Sequence, residues 1–410
     1  MQICSVVSGR PDTTRGGVEL SLWKISKELL KLGCNVHIVF DRTTSPECPS
    51  DFIVEGVQLY GEGSPSRSAL RKALSFKSLA SQKLQEIDMI HDVDLFTFHG
   101  NYALLPLLSF RKHVSKPFVY HSYATLFYEA QTHLFKVPTV KMTLNFLKKL
   151  SMYMFYTPLE FMALKYLNRL IVPSLMTVNE FTKYYHYPKD KISVAPLGQD
   201  LFERYGRNVV TKEEYKLDGK KVLLFVGNEW YRKGVWYLLL AFKEIVDQVP
   251  NALLMMTGPP QEPFLSLIKT LKLQSSVLLV GNVDEETLAK YYALCDVFVL
   301  PSFHEGFSNT IIEAMAFGKP VVTTPIAGYP VVEDGKEGFI VQPDDYKSIA
   351  ASVIKLSSDE RLYHEMGRNA WRKAQKYTWR ESAKKILETY KLLLTYRDEY
   401  ETTSILRGPC

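Results

Sequence analysis

Residues 221–246 read KVLLFVGNEWYRKGVWYLLLAFKEIV. Lys221–Val226 is a short apolar run that stops at Gly227. From Val235 onward the apolar residues recur at helical spacing. The stretch is therefore strand, glycine loop, helix, the first half of a βαβ unit. The same grammar repeats downstream. ALLMMTG (252–258) is a strand and turn, and SVLLVGNV (276–283) is a strand entering a loop. CDVFVLPSFHEGFSNTIIEAMAFG (295–318) is again strand, loop, helix, and KPVVTTPIAG (319–328) is a strand and turn. Near-continuous apolar strands of this kind belong to parallel sheets covered on both faces.

The N-terminal half follows the same plan. QICSVV (2–7) is a strand. A loop bearing Gly16 and Gly17 follows, then VELSLWKISKELLKL, which is helical in spacing and halts at Gly33. NVHIVF (35–40) is the next strand. The turn does not spell G-x-G-x-x-G, so the dinucleotide fingerprint is absent. DLFTFHG and KPFVYHSYAT each end a strand near a histidine, His99 and His121, and RLIVPS ends at Ser174. Ligands in open parallel sheets gather at the carboxyl ends of strands, which is where both histidines fall; a structural role is the other reading.

The expected fold class is α/β with two doubly wound Rossmann-like domains. The first covers 1–200 and the second 201–379, joined by the polar, glycine-bearing segment around 196–218. A C-terminal helix at about 380–400 is expected to return to the first domain. Segment 125–168 departs from the repeat. Its Phe, Tyr, Met and Leu with interspersed lysines suit a helix lying on an anionic membrane surface, or one covering the N-terminal sheet.

Bulk composition bounds the function classes. The chain has 410 residues, 46 % hydrophobic and 23 % charged, with a formal net charge of +6. That charge comes without a helix-turn-helix, finger or RNA-binding signature, so nucleic acid is not an expected partner. The start, MQICSVVSGRPD, reads as a strand and loop rather than a signal peptide, and no run is apolar enough to span a membrane. The five cysteines are scattered without a C-x-x-C pair, and no metal-ligand cluster stands out among the nine histidines, so neither a metal nor another cofactor is expected.

Two loops carry the candidate chemistry. Asn228, Arg232 and Lys233 lie between Gly227 and the helix start; two cations beside backbone amides suit a diphosphate. HEGFSN (304–309) lies beyond the strand VFVLPS. TIIE scans as a capping box with Thr310 as N-cap and Glu313 at N3. That does not account for Glu305, nor for Gly306, Phe307 and Ser308, whose amides precede a helix N-terminus. Cations on one loop and carboxylates on the other suit a nucleotide sugar.

The stretch EGFSNTIIEAMAFGKPVV (305–322) resembles the hallmark of the retaining glycosyltransferases of family 4, which have the GT-B architecture of two facing Rossmann-like domains. GGVE, VYHSYAT, IVPS, the basic glycine loop, GNV and YTWRESAKKILETY fall in family order. The resemblance implies a hexosyltransferase that moves a sugar from a nucleoside diphosphate sugar, UDP favoured over GDP, to a glycan or lipid-linked acceptor. Transfer would keep the anomeric configuration and need no metal. The chain is expected to be cytoplasmic, with the aromatic–basic segment 125–168 favouring a peripheral position at the cytoplasmic membrane face. It implies catalytic roles for Glu305, His121 and Lys233. Glu305 would hold donor sugar hydroxyls and Glu313 the ribose. Arg232 and Lys233 would meet the diphosphate with amides of Gly306, Phe307, Ser308 and Asn309. Gly16 and Gly17 would approach the phosphates, and Val283 would flank the base. Many relatives place arginine directly after the loop glycine, where this chain has Asn228. The competing class is a non-catalytic nucleotide-sugar-binding or membrane-associated interaction protein.

Overall fold

The computed structural model describes residues 1–13, 17–44, 47–63, 69–135, 144–206 and 210–406. Chain contacts divide it into two compact units: Met1–Phe127 with Lys148–Leu197 and Trp379–Cys410, and Tyr128–Leu147 with Gly198–Thr378. Residues 128–147 thus group with the second unit.

The first unit is built on an eight-stranded sheet: β1 Gln2–Val7, β2 Asn35–Asp41, β3 Asp51–Val54, β4 Val57–Glu62, β5 Leu95–His99, β6 Phe118–His121, β7 Arg169–Val172 and β8 Ile192–Val194. Their order is β3-β4-β2-β1-β5-β6-β7-β8, parallel except for the antiparallel edge strand β3. Strands β1, β2, β5 and β6 are buried almost throughout, as the unbroken apolar runs require. The C-terminal helix Trp379–Leu406 packs on Gly17–Lys31 in this unit. Cys4, Cys34, Cys48 and Cys295 are buried free thiols.

Segment 125–168 contains two helices, Leu126–Phe135 and Leu144–Leu164; 136–143 lie outside the described residues. On the second helix Tyr153, Tyr156, Glu160 and Ala163 are buried, whereas Met154, Phe161 and Met162 are exposed. One side of this helix thus packs inward, and the other carries exposed apolar side chains. Among the described residues, no helix is long and apolar enough to cross a membrane.

Glu160 sits fully buried beneath the start of Leu126–Phe135. The Tyr185 hydroxyl and, at 3.4 Å, the Leu126 amide donate to its Oε2, and the Tyr120 hydroxyl donates to Oε1 at 3.4 Å. Burial pushes its carboxyl up to about 7, against the opposing effect of these donors. The acid is thus raised above its ordinary 4.5 in the folded state. Its contribution to stability is complete below about 4.5 and is lost as pH rises through about 7. Glu160→Gln keeps an acceptor for the donors and removes the titration. Thermal melts from pH 4 to 8 should show a flatter upper limb in the variant than in the parent.

The second unit carries a six-stranded, wholly parallel sheet: β9 Lys221–Phe225, β10 Ala252–Thr257, β11 Val277–Gly281, β12 Val297–Leu300, β13 Val321–Thr323 and β14 Gly338–Ile340. The order β11-β10-β9-β12-β13-β14 places β9 between β10 and β12. The chain winds outward in one direction from β9 and then, from β12, in the other. The β9/β12 pair, in register Val297↔Leu223, is the topological switch point, where the loops after two neighbouring strands open a crevice.

Candidate functional site

The loops that follow β9 and β12 are the two singled out above. Residues 226–234 fold round Trp230, which is fully buried and whose indole N–H donates to the Gly227 and Thr257 carbonyls at 2.9 and 3.3 Å. Gly234 caps the next helix, Val235–Gln248, at φ +73°. A β-carbon there would lie 2.1 Å from the Pro301 carbonyl oxygen in the β12 loop. Gly227 lies under the stem of Lys233: a β-carbon on it would meet Lys233 Cδ at 2.2 Å. Both glycines are close approaches. One lets the β9 and β12 loops touch, and the other lets a lysine fold back over its own strand end. The Phe303 amide donates to the Arg232 carbonyl at 2.9 Å, joining the loops through backbone as well.

At this junction Glu305 is gripped from two sides. Lys233 Nζ lies 2.9 Å from Oε1 and Arg232 Nη1 lies 3.2 Å from Oε2. The Ser302 hydroxyl donates to Oε1 at 3.0 Å, and the Ser302 carbonyl in turn accepts from the Thr324 hydroxyl at 2.7 Å. Arg232 Nη1 also donates to the His304 carbonyl. All three charged side chains are nearly buried, at 9 % exposure for Glu305, 15 % for Arg232 and 11 % for Lys233. Burial raises the Glu305 carboxyl, but the charges of Arg232 and Lys233 outweigh it and hold the group at about 2. The Arg232 guanidinium is raised above its ordinary range: burial lowers it, and Glu305 and then Glu129 more than reverse that. Glu129 Oε1 stands 4.0 Å from Arg232 Nε, and the Tyr128 ring meets the His304 ring edge-on at 5.1 Å.

Glu313 differs from its sequence reading. Its helix, Asn309–Ala316, has Ser308 as N-cap with no side-chain capping bond, so Thr310 lies inside the first turn and the proposed capping box does not form. The Ser308 hydroxyl pairs with that of Thr310 at 3.1 Å. The Glu313 carboxylate instead accepts from the Tyr292 hydroxyl at 2.8 Å. Tyr292 comes from Glu285–Leu294, the helix before β12, and spacing along the chain gave no signal of the contact.

The remaining candidates fall in several places. Gly306, Phe307, Ser308 and Asn309 line the entry to the helix Asn309–Ala316. Phe307 is buried with its ring 5.9 Å from Tyr377, and Asn309 keeps a buried Oδ1 without a hydrogen-bond partner. Asn228 is exposed; its carbonyl accepts from Gln261 at 2.5 Å. Val283 follows β11, at the sheet edge rather than at the switch point. Gly17 opens the helix Gly17–Lys31 of the first unit, and Gly16 lies outside the described residues. His121 ends β6 in the first unit. It stacks on His99 with centroids 4.2 Å apart, and its Nε2 shares a hydrogen bond of 2.7 Å with Tyr390 of the C-terminal helix. Burial pushes this imidazole down to about 3, so it is neutral at physiological pH. Among the described residues, no group of three or more His, Cys, Asp or Glu is placed to hold a metal ion.

A nearly buried carboxylate pinned by two cations at a switch point can orient hydroxyls while presenting positive charge to a phosphate. The comparisons with known proteins bear on family and fold. Residues 209–373 match the family described as Glycosyl transferases group 1, and residues 15–202 match Glycosyltransferase Family 4. An uncharacterised glycosyltransferase from Methanocaldococcus jannaschii is 30% identical over 248 residues, which is 57% of this chain and 63% of that protein. A D-inositol 3-phosphate glycosyltransferase from Segniliparus rotundus is 30% identical over 239 residues, 55% of this chain and 53% of that protein. The chain therefore spans somewhat over half the length of these curated relatives. Among solved structures, a sucrose-phosphate synthase from Thermosynechococcus elongatus superposes with a TM-score of 0.80 at 20% identity, covering 96% of this chain and 99% of that one. This likeness bears on the fold: two parallel-sheet α/β domains of the GT-B type.

Proposed function

This chain belongs to the group 1, family 4 glycosyltransferases, and we propose that it transfers a hexose from a nucleoside diphosphate sugar with retention of anomeric configuration. The observation that carries the reading is the Glu305 clamp, with Arg232 and Lys233 on the β9 loop holding a carboxylate from the β12 loop. In the reaction, the bond between the anomeric carbon and the diphosphate oxygen breaks. A bond from that carbon to an acceptor hydroxyl oxygen forms on the same face, and the hydroxyl proton leaves to the departing diphosphate. Negative charge grows on the leaving group, and fixed cations and amides stabilise it most at that point. Arg232 and Lys233 supply the charge, with the amides of Gly306, Phe307, Ser308 and Asn309 at the helix entry.

Glu305 orients hydroxyls of the donor sugar, and Glu313 takes the ribose. Gly17 serves the phosphates and Val283 the base. His121 contacts the transferred sugar as a neutral hydrogen-bonding group, since burial keeps it uncharged. No metal is required, because the side-chain cations fill that role. UDP is the favoured nucleotide. The acceptor is a glycan or lipid-linked saccharide at the cytoplasmic face of a membrane. Supporting the membrane part is the exposed stripe Met154, Pro158, Phe161, Met162 and Lys165, whose last four members lie four, seven, eight and eleven residues after Met154 and so share one helical face. Flotation with anionic liposomes tests it: protein that stays wholly in the soluble fraction removes membrane docking from the account.

A thermal-shift panel of UDP- and GDP-sugars tests the donor site. A ligand at about 100 times its Kd adds roughly 2.7 kcal/mol to stability, so the true donor should raise the melting temperature and the others should not. No shift with any member would leave the clamp as a structural ion-pair cluster. Release of nucleotide from a labelled donor separates the enzyme from a non-catalytic nucleotide-sugar binder.

A further inference from the structure

We propose that Tyr292 is a positioning residue that sets the ribose selectivity of the donor site by fixing the carboxylate of Glu313. The inference rests on the nucleotide-sugar reading above. Tyr292 is fully buried on the helix Glu285–Leu294. Its ring lies parallel to that of Phe317 at 5.7 Å and tilted against Phe298 at 5.9 Å. Phe317 caps the very helix that carries Glu313, and Phe298 belongs to β12. The ring is thus held by β12 and by the helix that follows its loop, and its hydroxyl donates to Glu313 Oε2 at 2.8 Å. The starting helix is itself anchored: Asp284 accepts from the Thr287 amide at 2.8 Å as its N-cap.

The arrangement has a chemical consequence. Glu313 is only partly buried on its helix, and a glutamate side chain is costly to order. A carboxylate that receives a vicinal diol must present its oxygens in a fixed plane. A rigid phenol that donates to Oε2 selects one rotamer and one plane before any ligand arrives, and so lowers the ordering cost of binding. A tyrosine whose only task was to satisfy its own buried hydroxyl would affect stability without any preference between ribose and its deoxygenated forms.

Tyr292→Phe removes the hydroxyl and leaves the ring packing intact. Wild type, Tyr292→Phe and Glu313→Gln should be titrated calorimetrically with UDP and GDP and with their 2′,3′-dideoxy counterparts. Hydrogen bonds to charged groups are strong enough that losing the phenol should weaken ribonucleotide binding about tenfold, with dideoxynucleotide binding unchanged. Turnover at saturating donor should stay within about twofold of wild type, since KM rises and kcat does not when ground-state and transition-state binding fall together. Glu313→Gln should abolish the ribose preference altogether.

Equal weakening of both nucleotide types in Tyr292→Phe, or a full ribose preference retained there, would overturn the inference and leave the donor site standing. Wild type with no ribose preference would remove Glu313 from the ribose and the inference with it. Wild type that binds neither nucleotide would overturn the donor-site reading itself.

Discussion

Lys233→Ala is expected to lower kcat by about 10²–10³, the usual cost of losing one fixed donor to a developing anion. The geometry makes this a clean substitution. The Lys233 stem lies back over Gly227, and its ammonium reaches Glu305 Oε1 at 2.9 Å. Truncation leaves Glu305 with Arg232 at 3.2 Å and the Ser302 hydroxyl at 3.0 Å, so the carboxylate keeps a charged partner and the fold should survive. The rate loss therefore reports on charge stabilisation and not on collapse of the loop. Steady-state kinetics with a saturating donor, alongside a melting curve, checks it. Near-wild-type turnover would take Lys233 out of the reaction.

Glu305→Gln is expected to act on both stability and transfer. Two cations with 15 % and 11 % side-chain exposure would lose the carboxylate that neutralises them. Removing one partner from a buried ion pair typically costs about 3–5 kcal/mol, because the remaining charge stays desolvated. Inorganic pyrophosphate, which supplies the negative charge that the carboxamide lacks, should restore part of the melting temperature. Transfer should fall further than nucleoside diphosphate binding if Glu305 serves the sugar end, as proposed; equal losses would contradict that assignment. The pH dependence has a definite sign. The folded carboxyl, held at about 2, lies below its ordinary 4.5, so its contribution is complete above about 4.5 and is lost as pH falls through about 2. The glutamine variant should lack that acid limb.

Much of this site was legible in the sequence, because each half of it is local. Strand, glycine and cations occur within KVLLFVGNEWYRKG, and strand, glycine turn and helix within VFVLPSFHEGFSNTIIE. The pairing of the two was not. Lys233 and Glu305 are 72 residues apart, and their contact follows from β12 lying beside β9 rather than beside β11, a matter of sheet order that strand patterns do not encode. The capping box failed for a related reason. TIIE has the right spacing, but the helix begins at Asn309, and a buried phenol 21 residues earlier in the chain takes the carboxylate. Local pattern matching cannot see a tertiary donor that competes with a cap. The close approaches at Gly227 and Gly234 were visible only as loop glycines. Their purpose depends on where Lys233 and Pro301 lie.

The central claim is that the clamp at the β9/β12 switch point is a working donor site. Its most direct test is turnover of radiolabelled UDP- and GDP-sugars by purified wild type and Lys233→Ala, read as label released or transferred per unit time. At least one donor should be consumed by wild type, and its rate should fall about 100-fold or more in the variant. Turnover of none of them, or equal turnover by both proteins, would contradict the account.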